Sequence, residues 1–235
     1  MKTAIDKSIG SLKTLTIEGK PGGPAVVLFH GYGADASDLM PMAEMMNLSS
    51  EVTWVFPNAP HEVIIAPGFY GRAWYQIDSK RLEAAMVRGE PLDMSQTIPP
   101  GLESARRAAT SLYDQLQKDH STVVIGGFSQ GAMLATDLAL NHNKKPAGLV
   151  ILSGTLINQP QWQSVVAKSS GLSFFQSHGK NDALLGFEQA EALNSFLSDA
   201  GLHGDFYAFS GGHEIPAKVI EKMGQFIRSR VTQKR

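Results

Sequence analysis

Cysteine is absent from the 235-residue sequence, and a net charge of either sign is almost absent as well. The lack of cysteine excludes disulfide bonds, thiolate metal ligands and a cysteine nucleophile. Because 21 Lys and Arg stand against 22 Asp and Glu, there is no basic excess of the kind that nucleic-acid binding requires. No stretch approaches the roughly 18 apolar residues of a membrane helix, and residues 1–10 are too polar for a secretory signal. We therefore expect a soluble, cytoplasmic protein that does not bind nucleic acid.

The sequence does contain a regular alternation of strand and helix patterns. Apolar runs such as Ala25–Phe29 and 172–178 are typical of strands buried on both faces, and segments with helical spacing lie between them. This alternation predicts an α/β fold with a mostly parallel central sheet flanked by helices. The length fits one domain, residues 1–235. Residues 11–17 alternate in polarity and are predicted to form an edge strand.

The turn around Ser129 is the strongest functional signal. A β-branched run at 122–125 predicts a buried strand, and Gln130–Asn141 has the spacing of a helix. Gly127 and Gly131 flank Ser129 at the two positions where a side chain would collide in so sharp a turn. The pattern Gly-x-Ser-x-Gly predicts a nucleophile elbow with Ser129 as the nucleophile.

Two other interpretations of this turn are possible. Ser129 would be an ordinary helix N-cap if no base and acid accompanied it. A dinucleotide-binding loop requires Gly-x-Gly-x-x-Gly spacing, which Gly126, Gly127 and Gly131 do not provide.

A base and an acid are found after two later strands. His213 follows the last predicted strand in a Gly-rich loop, from which a base reaches back to Ser129. His30 and His178 also follow strands, but a Gly comes directly after each, as is usual for hydrogen-bonded structural groups. Asp182 follows the strand at 172–178 and precedes His213, in the chain order Ser, Asp, His of α/β-hydrolases. Asp182 as a simple helix cap is the alternative.

Three other aspartates, Asp137, Asp199 and Asp205, are predicted to be solvated surface charges. The backbone N–H groups of Tyr32 and Gln130 are the candidate donors to an oxyanion, since one lies in the Gly-rich loop after Ala25–Phe29 and the other begins the elbow helix.

The segment 61–100 lacks a regular pattern and is predicted to be a small lid or insertion. Residues 63–70 are apolar but interrupted by Pro67 and Gly68. Burial in the core is the favoured interpretation, and an exposed hairpin tip is the alternative. Residues 79–88 form a short candidate helix.

Seven blocks in order resemble the acyl-protein thioesterase, or phospholipase/carboxylesterase, family of α/β-hydrolases. They span nearly the whole chain: 28–35, 57–60, 72–75, 127–132, 152–154, 178–182 and 212–213. The resemblance implies a cofactor-free, metal-free serine esterase that acts on esters or thioesters with an apolar acyl chain. It also implies that Trp74 and Leu184 line the acyl pocket. Because dimers are common in this family, the resemblance also implies a homodimer. Tyr32 departs from the family, which usually has an aliphatic residue there, and residues 79–96 match no family motif.

Three alternatives remain open at this point. A lysophospholipase or a general small-ester carboxylesterase would use the same three residues. A non-catalytic ligand-binding member of the fold would not use them. A peripheral membrane protein would use residues 63–70 as its insertion tip.

Overall fold

The computed structural model describes residues 3–46, 48–78, 84, 87–88 and 90–232. The strands are β1 (Ile5–Ile9), β2 (Leu12–Ile17), β3 (Ala25–Phe29), β4 (Thr53–Pro57), β5 (His61–Ala66), β6 (Phe69–Ala73), β7 (Val123–Phe128), β8 (Gly148–Leu152), β9 (Ser173–Gly179) and β10 (His203–Phe209). The helices are α1 (Pro41–Met45), α2 (Leu102–Asp119), α3 (Gln130–Asn141), α4 (Gln159–Val165), α5 (Phe187–Asp199) and α6 (Ala217–Val231), and a 3-10 helix (Val166–Ser169) follows α4.

Eight strands form the central sheet in the order β1-β2-β4-β3-β7-β8-β9-β10. The pairs from β4 to β10 are all parallel, whereas β2 is antiparallel to both β1 and β4. This confirms the predicted, mostly parallel sheet. Since parallel strands end at one edge, the loops that follow β3, β7, β9 and β10 meet there.

The two faces of the sheet bury separate hydrophobic clusters. One cluster lies under α2, α3, α4 and α5, and the other lies under α1 and α6. The five residues of β3 are all buried, as expected for a strand covered on both sides. Helices therefore flank both faces, as the alternation predicted. None of the helices in the described part of the chain has the length and apolar character needed to cross a bilayer.

Two predicted elements differ from the structure, and one strand was not predicted. The strand predicted at 11–17 is not at the edge, because β1 pairs with its outer side. The polar sequence of β1, four of whose five residues are exposed, gave no strand signal. The spacing of apolar residues in 37–48 predicts a longer helix than α1, which begins only at Pro41 because proline is disfavoured inside a helix and favoured at its first position. The candidate helix 79–88 falls largely outside the described residues.

The favoured burial of residues 63–70 is wrong, and the alternative is confirmed. Strands β5 and β6 form an antiparallel hairpin outside the central sheet. Its apolar side chains point into solvent, with Ile64 at 72%, Phe69 at 71% and Tyr70 at 65% exposure. The interrupting Pro67 and Gly68 form the turn, where Gly68 has a positive φ of 79°.

Asp137 is not the solvated charge that its helical position suggested. Its side chain is fully buried and receives two hydrogen bonds from the Arg106 guanidinium, at 2.5 and 2.9 Å. The indole of Trp162 donates a third at 2.8 Å. These contacts join α2, α3 and α4, so the charge stabilises the packing of three helices as a paired, hydrogen-bonded group.

Candidate active site

Ser129 lies in a strained turn between β7 and α3. Its φ of 54° and ψ of −119° are unusual for a residue with a side chain. The two flanking glycines are required by close backbone contacts. A Cβ at Gly131 would lie 2.1 Å from the Phe29 carbonyl oxygen, and one at Gly127 would lie 2.5 Å from the backbone of Gly131. This sharp turn places the Ser129 hydroxyl at the carboxyl edge of the sheet, as a nucleophile elbow does.

His213 and Asp182 form a hydrogen-bonded pair at the same edge. The Nδ1 of His213 lies 2.7 Å from Oδ2 of Asp182. The other carboxylate oxygen, Oδ1, accepts hydrogen bonds at 2.9 Å from the backbone N–H groups of Leu184 and Leu185. Asp182 therefore binds two amides of its own turn and orients the imidazole of His213. It does not cap the following helix, which begins at Phe187 with Gly186 as its N-cap.

The electrostatics of this pair keep Asp182 charged. Burial by itself would raise the pKa of the Asp182 carboxyl. Hydrogen bonds from His178, His213 and the Leu185 amide, together with the charge on His213, outweigh burial and hold that pKa well below its usual range. The carboxylate is thus ionised at neutral pH.

Ser129 and His213 open into one cavity of about 380 Å³. Their side chains make no hydrogen bond with each other among the contacts of the described residues, and such bonds are often long before a substrate binds. The ring of Phe128 packs against the imidazole with centroids 4.8 Å apart. The nucleophile and the base candidates therefore share an entrance.

The wall of this cavity is mostly apolar. It is formed by Ile77, Leu92, Met94, Met133, Leu184 and Leu185. Leu184 lines the cavity, as the resemblance to the family implied. Sequence reasoning missed Leu92 and Met94 because their segment has no periodic pattern. The structure connects that segment to the acid turn, since the Leu92 amide donates to the Leu184 carbonyl at 3.3 Å.

Trp74 lies elsewhere, which corrects the expectation that it lines the acyl pocket. Its side chain is fully buried and is not part of the cavity wall. The indole N–H donates to the His30 carbonyl at 2.8 Å, and the ring packs edge-on against Phe29. The Trp74 amide donates to the side-chain oxygen of Gln130 at 2.9 Å. Trp74 therefore supports the backbone on both sides of the site.

The loop after β3 is held rigidly beside Ser129. His30 is buried and bonded through both ring nitrogens: Nδ1 donates to the Gly31 carbonyl at 2.7 Å, and the Ala59 amide donates to Nε2 at 3.1 Å. Burial lowers the pKa of His30, which favours this neutral ring. The structural role expected for His30 is confirmed.

Two backbone N–H groups at this edge, those of Tyr32 and Gln130, are free to bind a ligand. Neither donates a hydrogen bond to another residue in the described part of the chain, and both residues line the cavity. A free backbone donor that faces a cavity is available to a ligand. No cluster of three or more metal-ligating side chains occurs among the residues that the structure describes.

Comparison with known proteins gives the family. Residues 14–231 match the profile described as phospholipase/carboxylesterase. The chain belongs to the phospholipase/carboxylesterase family. The resemblance noted from the sequence is thereby confirmed.

Individual relatives agree with this assignment. Carboxylesterase SOBER1 of Arabidopsis thaliana is 26% identical over 216 residues, which cover 88% of this chain and 90% of that protein. Acyl-protein thioesterase 1 of Eremothecium gossypii is 29% identical over 217 residues, with 89% of each chain covered. Both are similar along almost their whole length.

Solved structures confirm the α/β-hydrolase fold. The crystal structure of Arabidopsis thaliana SOBER1 superposes with a TM-score of 0.70 at 25% identity, covering 89% of this chain and 99% of that one. Esterase PE8 superposes with a TM-score of 0.73 at 23% identity, covering 97% and 99%. At 23% identity, the similarity to esterase PE8 is evidence for the fold alone.

Proposed function

We propose that this family member is a serine hydrolase that cleaves carboxylic ester or thioester bonds through an acyl-enzyme intermediate. One observation carries the proposal: the strained Ser129 and His213, which is hydrogen-bonded to Asp182, open into the same apolar cavity. A strained serine alone fits a tight turn, and a His–Asp pair alone fits a structural contact. The two together at one cavity supply a nucleophile, a base and an orienting carboxylate.

The proposed reaction proceeds in two steps. His213 Nε2 takes the proton of Ser129 Oγ as that oxygen bonds to the acyl carbon, and His213 then protonates the departing alcohol or thiol. In the second step His213 takes a proton from water as the water oxygen bonds to the acyl carbon, and it returns this proton to Ser129 Oγ as the bond between that oxygen and the acyl carbon breaks and the carboxylic acid leaves. Asp182 keeps the proton of the neutral ring on Nδ1 and stabilises the imidazolium that forms in both steps.

The amides of Tyr32 and Gln130 are proposed to form the oxyanion hole. Both are unpaired by other described residues, and Gln130 begins α3, where the helix dipole favours negative charge. The Gln130 side chain is occupied elsewhere, because it accepts from the Trp74 amide and donates to the Tyr75 carbonyl, each at 2.9 Å. These two hydrogen bonds hold Gln130 in place, which fixes the direction of its backbone N–H.

The apolar wall supports substrates with an apolar acyl chain. Leu184 and the neighbouring Leu185 form one side of it, and Met133 forms another. Relatives named as a carboxylesterase and as acyl-protein thioesterases fit either an ester or a thioester. A lysophospholipase is the second candidate, because its substrate also has an apolar acyl chain.

A series of p-nitrophenyl esters from acetate to laurate tests the proposal. We expect turnover whose kcat/KM rises by up to about fourfold for each methylene buried, since each one contributes about 0.8 kcal/mol, until the cavity is full. A fluorophosphonate probe is expected to label the protein, with the adduct on Ser129 by mass spectrometry.

Protein denatured before the probe is added is the control, because labelling should require the folded site. A folded protein that neither labels nor turns over any ester in the series would contradict the hydrolase and favour a ligand-binding member of the fold.

We further propose that the β5–β6 hairpin, which lies beside the cavity entrance, contacts membranes. The support is the exposure of Ile64, Phe69 and Tyr70 on a hairpin whose base is bonded to the loop after β3: the Gly33 amide donates to the Arg72 carbonyl at 2.8 Å.

Flotation with phosphatidylcholine vesicles tests this contact. Wild type should float with the vesicles, and Phe69→Asp should remain at the bottom, because an exposed apolar anchor is replaced by a charge. Ile98→Asp is a matched control, since Ile98 is 64% exposed but lies outside the hairpin. No flotation of wild type, or equal flotation of Phe69→Asp, would remove the proposal.

Four features stay predictions from the sequence. They are a single domain over residues 1–235, a cytoplasmic location, a homodimer and the absence of a cofactor.

A further inference from the structure

The buried ring of His178 touches the acid of the proposed triad. His178 is fully buried near the end of β9, four residues before Asp182. Its Nε2 lies 2.7 Å from the Leu185 carbonyl oxygen and 3.3 Å from Oδ2 of Asp182. A carbonyl oxygen only accepts, so Nε2 carries the proton and one N–H is shared between the carbonyl and the carboxylate.

The other ring nitrogen of His178, Nδ1, is buried and makes no hydrogen bond among the described residues. An unpaired polar atom in a protein interior is unfavourable and calls for a reason. A purely apolar side chain would avoid this penalty, which indicates that the ring is retained for what Nε2 does.

The turn that His178 holds has two functions. First, the turn supplies the Asp182 carboxylate, which lies 2.7 Å from Nδ1 of His213. Second, its residues Leu184 and Leu185 form part of the cavity wall. The amides of both leucines bind Oδ1, and His178 binds the Leu185 carbonyl and Oδ2. The shared N–H therefore joins the acid to the acyl wall across the turn.

We propose that His178 is a positioning residue for the hydrolysis: its Nε2–H fixes the Asp182 carboxylate against the Leu185 wall and thereby sets the orientation of His213. The proposal rests on the proposed function. His178 touches neither the substrate nor Ser129 and acts only through Asp182.

Two amide substitutions separate this role from simple packing. Gln places its N–H about as far from Cα as Nε2 of His, and it loses nothing at Nδ1, which has no partner in the described part of the chain. Asn is one methylene shorter and places its N–H near the Nδ1 position. We therefore compare His178→Gln with His178→Asn, and add His178→Phe as a ring without a donor.

We expect His178→Gln to retain most of the wild-type kcat for a p-nitrophenyl ester. His178→Asn and His178→Phe should lower kcat by about 10–100-fold, the range seen when residues that orient metal-binding side chains are lost, with KM changed little. The acidic limb of kcat/KM should move to lower pH in these two variants. The reason is that a carboxylate no longer held toward His213 stabilises the protonated imidazole less.

A role in packing alone predicts another result. Equal kcat for the Gln and Asn variants, or losses that follow the melting temperature with an unchanged pH profile, would overturn the proposal. Should wild type hydrolyse no ester, the proposed function fails separately. The low-field proton resonance of the His213–Asp182 bond then tests the positioning: it should persist in His178→Gln and broaden or shift in His178→Asn, and no difference would overturn the role.

Discussion

Ser129→Ala is expected to abolish ester hydrolysis and fluorophosphonate labelling together. Without the hydroxyl no acyl-enzyme forms, and removal of a triad nucleophile lowers kcat by about 10⁶-fold. The fold should survive, since the backbone strain at φ 54° is imposed by contacts of Gly127 and Gly131 rather than by the hydroxyl. The measurements are kcat with a p-nitrophenyl ester, in-gel labelling and the melting temperature.

Ser153→Ala is the matched control for this variant. Ser153 follows the neighbouring strand β8 and also has a positive φ, 48°. Its hydroxyl is buried, has no hydrogen-bond partner among the described residues and does not line the cavity. We expect its activity and labelling to stay close to wild type. A Ser129→Ala protein that is still labelled at the wild-type rate would place the nucleophile elsewhere.

The elements that position the site were predictable because their sequence signals are local. Strand β3 and helix α3 have the predicted bounds, since an unbroken apolar run and a helical Ala and Leu pattern leave few other structures. The elbow was predictable for a related reason: a turn this tight admits only glycine at positions 127 and 131.

The parts that were not predictable depend on contacts between distant segments. The polar strand β1 is held by pairing with β2, and the tip of the β5–β6 hairpin is apolar yet exposed. Asp137 looked like a surface charge because its partners, Arg106 and Trp162, are 31 and 25 residues away in sequence. Single-residue patterns do not contain such pairings.

Trp74 shows the same limit within the site. The resemblance to the family gives the order of the matching blocks along the chain. It does not show whether the Trp74 ring lines the cavity, because that depends on how the ring packs against Phe29 and His30. His178 is the opposite case. Its position before a Gly correctly indicated a hydrogen-bonded group, but only the distance to Asp182 reveals what it bonds to.

Asp182→Asn is expected to lower kcat by about 10⁴-fold while KM changes little, the effect of the same change in a serine protease triad. An Asn side chain can donate its amide N–H to Nδ1 of His213, which leaves the ring proton on Nε2. In that tautomer the base cannot accept the proton of Ser129. The backbone geometry of the turn should be preserved, because the Asn amide oxygen can still accept hydrogen bonds from the Leu184 and Leu185 amides.

The pH dependence separates this effect from loss of structure. A folded-state pKa below the usual value of about 3.9 means that Asp182 contributes stability that is fully present above that pH. This contribution is lost as the pH falls further, toward the folded-state pKa. The melting temperatures of wild type and Asp182→Asn should therefore converge below about pH 4.

Between pH 5 and 8 the carboxylate remains ionised, so the kinetic defect of Asp182→Asn should not be relieved by changing the pH in that range. Asp205→Asn is the control, since Asp205 is an exposed carboxylate in β10 that does not line the cavity. It should leave kcat and the pH profile unchanged. An Asp182→Asn enzyme with nearly wild-type kcat would mean that His213 is oriented by other groups, and the acid would have to be sought outside this turn.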